Sequence, residues 1–205
     1  MDGSTQITGD ALRAMYGEMS DLVRQKSIDH LDRHCRAFIA LSPFLVIGSA
    51  SADRQADVSP RGDAPGFVKV IDGRTLAIPD RPGNKRIDTL RNVAENPEVA
   101  LIFLVPGVNE TLRVNGTASI TTDPALLAGC AVQGKVPQSA LVVRVREAFL
   151  HCAKALIRSK LWDARAQVER SVLPSLGTMI ADQIAGVDAA DADRRIDIAY
   201  RDALY

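Results

Sequence analysis

Ala77-Ile78-Pro79-Asp80-Arg81-Pro82-Gly83-Asn84-Lys85-Arg86 and, further on, Glu110-Thr111-Leu112-Arg113-Val114-Asn115-Gly116 bracket the stretch that decides the fold. The first run is a strand end passing into a turn. Asn84 suits the cap of a helix over Lys85–Glu95, where Ile87, Leu90, Val93 and Ala94 recur at helical spacing. Asn96-Pro97 stops it, because proline disfavours helix in the residue before it. Val99–Val105 is apolar throughout, which predicts a strand buried on both faces. Thr111–Ile120 alternates, with Leu112, Val114, Gly116, Ala118 and Ile120 on one face. Thr111, Arg113, Asn115, Thr117 and Ser119 lie on the other.

Outward from this stretch, short strands continue. Phe67–Ile71 and Thr75–Pro79 flank Asp72-Gly73, a strong hairpin signal. Phe44–Ala50 and Ala56–Arg61 flank a turn at Ala52–Gln55, and Ala140–Phe149 is the last strand. Helical spacing is predicted weakly at 10–25 and clearly over His30–Leu41, which carries Leu31, Cys35, Phe38 and Ile39 on one face. Asp123-Pro124 opens a short helix to about Cys130, since proline suits the first helical position. His151–Leu161 reads as helix, and the remainder as polar and mostly helical. Residues 1–9 read as a loose lead. Irregularly mixed strands and helices predict an α+β protein, mainly β with helices, built on an antiparallel barrel rather than a doubly wound parallel sheet. One domain spans 1–205, with a core at 27–162 and helical extensions at 1–26 and 163–205.

Bulk properties exclude several functions. Lys+Arg and Asp+Glu are both 25, and aromatic residues make up 4% of the 205. That composition argues against nucleic-acid binding, which needs a basic excess or stacking platforms. No apolar run is long enough to span a membrane, and no signal pattern opens the chain. Three scattered cysteines, Cys35, Cys130 and Cys152, suit reduced thiols in a cytoplasmic protein.

Lys85 and Arg86 fall in the first turn of the predicted helix, where the dipole disfavours cations. Arg81 lies just upstream, and Gly83 lets backbone approach closely. Two readings stand: a solvated helix start with incidental charges, or a site where cations and backbone N–H groups converge on a phosphate. Other constellations carry less. His30 and His34 share a helix face but have no third ligand, so no metal is expected. His151 and Cys152, adjacent on a helix, diverge by about 100° and cannot pair as base and nucleophile. Asp63 and Asp80 read as turn aspartates that bond nearby backbone, although both could serve as proton-transfer groups. Arg144 and Arg146 face solvent or a partner. No Gly-x-Gly-x-x-Gly follows a strand.

The order of Arg61 on a strand, hairpin, Ile78-Pro79-Asp80-Arg81, Gly83-Asn84-Lys85-Arg86, helix, Asn96-Pro97, apolar strand and Glu110–Gly116 resembles the pyridoxamine 5′-phosphate oxidase-related flavoproteins over roughly residues 30–162. Within them it is similar to a bacterial FMN-binding subgroup, to which Ser59-Pro60-Arg61-Gly62-Asp63 and Leu104-Val105-Pro106-Gly107 also point. The resemblance implies a split β-barrel that dimerises with FMN at the interface. It implies that Arg61 reaches the phosphate or ribityl chain, that Ile78, Pro79 and Asp80 border the isoalloxazine ring, and that Asn84, Lys85 and Arg86 bind phosphate. Thr111 takes the place of a flavin-contacting glutamine; a hydroxyl reaches less far than an amide. Trp162 resembles a tryptophan that neighbours FMN from the second subunit, and also reads as an ordinary core residue. The arginine-and-histidine motif that grips vitamin B6 phosphates has no counterpart, since 163–205 contains no histidine. The implied function is an FMN-dependent oxidoreductase of unknown small-molecule substrate, possible nicotinamide donor and no assigned catalytic residue. The alternative is a non-catalytic flavin, deazaflavin or haem binder, with His34 or His151 as the axial ligand for haem.

Overall fold

Thr8 and Ser20 cap two short helices, α1 (Gly9–Tyr16) and α2 (Asp21–Gln25), by accepting from the N–H groups of Ala11 and Val23. The structure, a computed structural model, describes residues 7–205, so most of the expected loose lead lies outside the described residues. α3 runs Arg33–Leu41, three residues shorter at its start than the periodicity predicts. Asp32 is the reason: its Oδ1 accepts from His34 N at 2.9 Å and Cys35 N at 2.8 Å. His30 therefore lies before the helix, and the one-face arrangement with His34 does not arise.

Seven strands follow: β1 Phe44–Ala50, β2 Ala56–Gly62, β3 Lys69–Val70, β4 Thr75–Pro79, β5 Glu98–Leu104, β6 Thr111–Thr121 and β7 Ala140–His151. They form one sheet in the order β2-β1-β5-β6-β7-β4-β3, antiparallel at every pairing. This is the expected α+β protein on an antiparallel split barrel. Its inward face carries Leu45, Ile47, Leu76, Ile78, Leu101, Phe103, Leu112, Val114 and Val143, and α3 adds Leu31, Cys35 and Ile39 to the same core. Each such side chain contributes about 1.5–3 kcal/mol by leaving water.

Three expectations about the sheet change. β5 alternates instead of burying both faces: Val99, Leu101 and Phe103 point in, whereas Ala100 is exposed and Ile102 and Leu104 are half-buried. Ile120 is exposed at the far end of β6. His151 ends β7, so the helix predicted from it is reduced to α6, Lys154–Ser159.

The helix expected over Lys85–Glu95 also begins late. α4 spans Asp88–Glu95, preceded by Ile87 at φ +54° with no side-chain cap. α5 (Pro124–Ala128) starts on Asp123 as its sequence predicts. Two more helices, α7 (Leu176–Gln183) and α8 (Ala189–Asp202), pack as a hairpin. Among the described residues no helix is long and apolar enough to cross a membrane.

Candidate functional site

The sheet has two margins, β2 on one side and β3 with β4 on the other. Asp63 follows β2 and Arg81 follows β4, and they join these margins. Arg81 Nε donates to Asp63 Oδ2 at 2.7 Å, with the two side chains 15% and 1% exposed. Asp63 Oδ1 also accepts from Ala64 N and from the Tyr205 hydroxyl, each at 2.7 Å. Burial alone would raise the Asp63 pKa. The Tyr205 hydroxyl, the Ala64 N–H and Arg81 together outweigh it and hold the carboxyl below its usual range.

Over this seam lies a pocket of about 880 Å³. Asp57–Gly62 of β2 form one wall, and Pro79 with the loop to Thr89 forms another. Pro60 fits there because β2 is an edge strand and needs no outward N–H. A tight turn supplies a third side: Val132 pairs with Lys135 across Gln133 (φ +51°) and Gly134 (φ +75°), the two positive φ values that a type I′ turn requires. Lys135 is thereby presented to the pocket, with Tyr205 beside it.

Five cations line the pocket (Arg61, Arg81, Lys85, Arg86, Lys135) against three carboxylates (Asp57, Asp80, Asp88). Their commitments differ. Arg81 is held by Asp63, and Arg86 Nε donates to Asp88 Oδ2 at 2.7 Å. Lys135 Nζ donates to the Tyr205 carbonyl at 2.7 Å. Arg61 is half-buried and donates to Ser59 Oγ and, at 2.9 Å, to the Pro60 carbonyl. Burial lowers its pKa, against the pull of Asp80 and Asp57. Lys85 has no carboxylate within ion-pair distance among the described residues. Asp80 is half-buried, and burial raises its pKa while Arg61 opposes the rise.

The loop from 84 to 87 overturns the helix-dipole reading. Lys85 and Arg86 precede α4 instead of occupying its first turn, which carries Asp88, the charge the dipole favours. Asn84 does not cap the helix: its Oδ1 accepts from Arg86 N at 3.1 Å in a local turn. Lys85 and Ile87 both adopt left-handed backbone. For a β-branched residue this is a genuine outlier, and such strain concentrates at ligand sites. With no side-chain cap at Ile87, the first N–H groups of α4 remain available beside the pocket.

Seven of the ten residues singled out in the sequence line this pocket: Arg61, Pro79, Asp80, Arg81, Asn84, Lys85 and Arg86. Ile78 lies behind it in the core. Thr111 is not in the lining; it stands opposite His151 in the β6–β7 pairing, and its buried Oγ1 has no hydrogen-bond partner among the described residues. Trp162 is also elsewhere, half-buried, its Nε1 donating to the Val108 carbonyl at 2.9 Å. Sequence reasoning missed Lys135 and Tyr205. The Gln133-Gly134 turn could have drawn attention to Lys135; Tyr205 carries no local signal. Among the described residues no three metal-ligating side chains converge.

A search of the curated proteins finds no match to this chain. Solved structures with a similar chain path include HupZ from Group A Streptococcus, at 17% identity and TM-score 0.48, covering 58% of this chain and 92% of that one. General stress protein 26 from Bacillus anthracis is 14% identical with TM-score 0.43, covering 56% and 88%. An FMN-binding protein from Syntrophomonas wolfei is 10% identical with TM-score 0.43, covering 70% and 96%. The model of the pyridoxamine 5′-phosphate oxidase family matches residues 31–152. That match runs from the start of α3 to just past β7 and holds both margins of the seam. With more than half its length inside it, this chain belongs to the pyridoxamine 5′-phosphate oxidase family.

Proposed function

We propose that this protein binds FMN in the seam pocket and is an FMN-dependent oxidoreductase acting on a small molecule. The observation that carries the reading is the cationic excess in a cavity sized for a nucleotide, five cations against three carboxylates in about 880 Å³. The residues fit the group. Arg61 and Lys85 have no carboxylate within ion-pair distance among the described residues and, unlike Lys135, are not tied to Tyr205; the uncapped start of α4 adds N–H donors, so together they would hold the phosphate. Pro79 and Asp80 would border the ring. FMN, when bound, supplies hydride or electron transfer, and the protein's part is to orient it and exclude competing reactions.

The protein is proposed to act as a homodimer. Thr111 and Trp162, remote from this pocket within one subunit, would meet the cofactor across the subunit interface. Neither His34 nor His151, the two candidate haem ligands, lines the pocket within one subunit, whereas its cations suit a flavin phosphate. A nicotinamide donor and a cytoplasmic location complete the proposal.

Titration of the apoprotein with FMN, followed by quenching of flavin fluorescence, tests it. Saturable binding of one FMN per chain is the expected result; the absence of saturation would refute it. Anaerobic addition of reduced nicotinamide then separates the two flavin readings. Bleaching of the yellow band is expected of an oxidoreductase, and an unchanged band with every donor tried would indicate storage.

A further inference from the structure

Tyr205 reaches the pocket from beyond α8, and three separate contacts hold it there. Its hydroxyl donates to Asp63 Oδ1 at 2.7 Å. Its ring lies 5.6 Å from the guanidinium carbon of Arg81. Its carbonyl accepts from Lys135 Nζ at 2.7 Å. Two of the five pocket cations are thus fixed by one residue. The socket is built for it: Asp63 is 1% exposed and already accepts from Arg81, so the phenol completes a buried carboxylate.

A packed hairpin delivers this contact. Asp193 on α8 accepts from Gly177 N at 2.7 Å and from Ser175 Oγ at 2.5 Å, both at the start of α7. A Cβ on Gly177 would stand 2.4 Å from the Ala189 carbonyl oxygen, so the two helices touch through bare backbone. Tyr205 therefore follows directly on a hairpin whose two helices are locked to each other.

We propose that Tyr205 is a positioning residue of the ligand site, which remains docked when ligand binds and holds Arg81 and Lys135 in place on one wall. This rests on the FMN reading for the identity of the ligand only. The competing role is a plug that ligand must evict. The volume favours the first: with Tyr205 in place the cavity still measures about 880 Å³, within the range of small-molecule and cofactor sites. A ligand has no need to displace it. Without the Tyr205 side chain, Arg81 would keep Asp63 but lose the ring beside it, and the main-chain oxygen that holds Lys135 would lose its anchor, so Lys135 would have to be ordered at the moment of binding, which costs affinity.

Two variants test this, Tyr205→Ala and Tyr205→Phe, each read by the FMN dissociation rate and, without ligand, by hydrogen exchange at 79–87 and 133–138. Tyr205→Ala is expected to release FMN about tenfold faster. Tyr205→Phe, which keeps the ring over Arg81 and loses the bond to Asp63, is expected to lie between, at about threefold. Both loops should exchange faster in Tyr205→Ala, by more than exchange at the core strands does, while the thermal midpoint falls by only a few degrees. Tighter FMN binding in Tyr205→Ala would show a plug and overturn the proposal; so would an unchanged dissociation rate with unchanged exchange. A wild type that binds no FMN overturns the cofactor reading instead. The exchange comparison then decides Tyr205 alone, faster exchange supporting its role and unchanged exchange overturning it.

Discussion

The cations of the seam are chemically similar and electrostatically unequal. Arg81 and Arg86 already face Asp63 and Asp88, so an arriving phosphate competes with a carboxylate at each. Arg61 and Lys85 have no such close partner, and charge-assisted bonds from them would be gained in full. Arg61→Ala and Lys85→Ala are therefore expected each to raise the FMN dissociation constant about tenfold. The double change Arg86→Ala with Asp88→Ala removes equal and opposite charge and should leave affinity within about threefold. Equal losses at all these positions in a fluorescence titration would discard the ranking. The cationic run 81–86 was legible because it lies in consecutive residues. Its ranking was not, because Asp63, eighteen positions before Arg81, meets it only through the meeting of the sheet margins.

At the scale of elements, the β6–β7 pair shows where periodicity misleads. Asn115 faces Glu147, but the next residue, Gly116, faces Val145, so Arg146 is an extra residue on β7. The bulge reverses the phase of β7: Val143 and Val145 point into the core, then Ala148 does. Gly116 permits this close approach, since a Cβ there would stand 2.0 Å from the Arg144 carbonyl oxygen. Gly116→Ala should destabilise the fold by about 3 kcal/mol, the upper range for overpacking. For a chain of this size that lowers the thermal midpoint by about 10 °C. A variant melting within a degree of wild type would show that the bulge yields easily. α4 gives the parallel lesson for helices. Ile87, Leu90 and Val93 keep helical spacing, yet the chain turns left-handed at Lys85 and Ile87 and the helix waits for Asp88. Side-chain spacing reports a face, and it does not report backbone diverted to build a site.

For the whole molecule, stability should follow a set of carboxylates held below their usual pKa range. Asp32 is lowered chiefly by the Cys35 N–H it caps, and Glu147 by the Ser27 hydroxyl and then the Asn115 amide. Asp63 is lowered despite its burial, by Tyr205, Ala64 and Arg81. A carboxylate whose folded pKa is depressed contributes stability above its unfolded value of about 3.9–4.3, and that contribution is lost as pH falls through the folded value. Asp80, raised by burial, works in the opposite direction and offsets part of the loss. The thermal midpoint should therefore hold between about pH 7 and 5 and fall below about pH 4. A midpoint that climbs toward pH 3 would mean that the raised group dominates. What the sequence by itself determined were the local features: strand runs, the Asp72-Gly73 hairpin, the stop at Asn96-Pro97 and the cationic loop. Each depends on neighbours within a few positions. Only the tertiary structure decided which margins meet, that Asp63 takes Arg81, that Tyr205 returns to the seam, and that the outer face of β5 stays partly open. The physical reason is that closure depends on contacts between residues far apart in the chain, whereas a residue's pattern of neighbours says only which way it points.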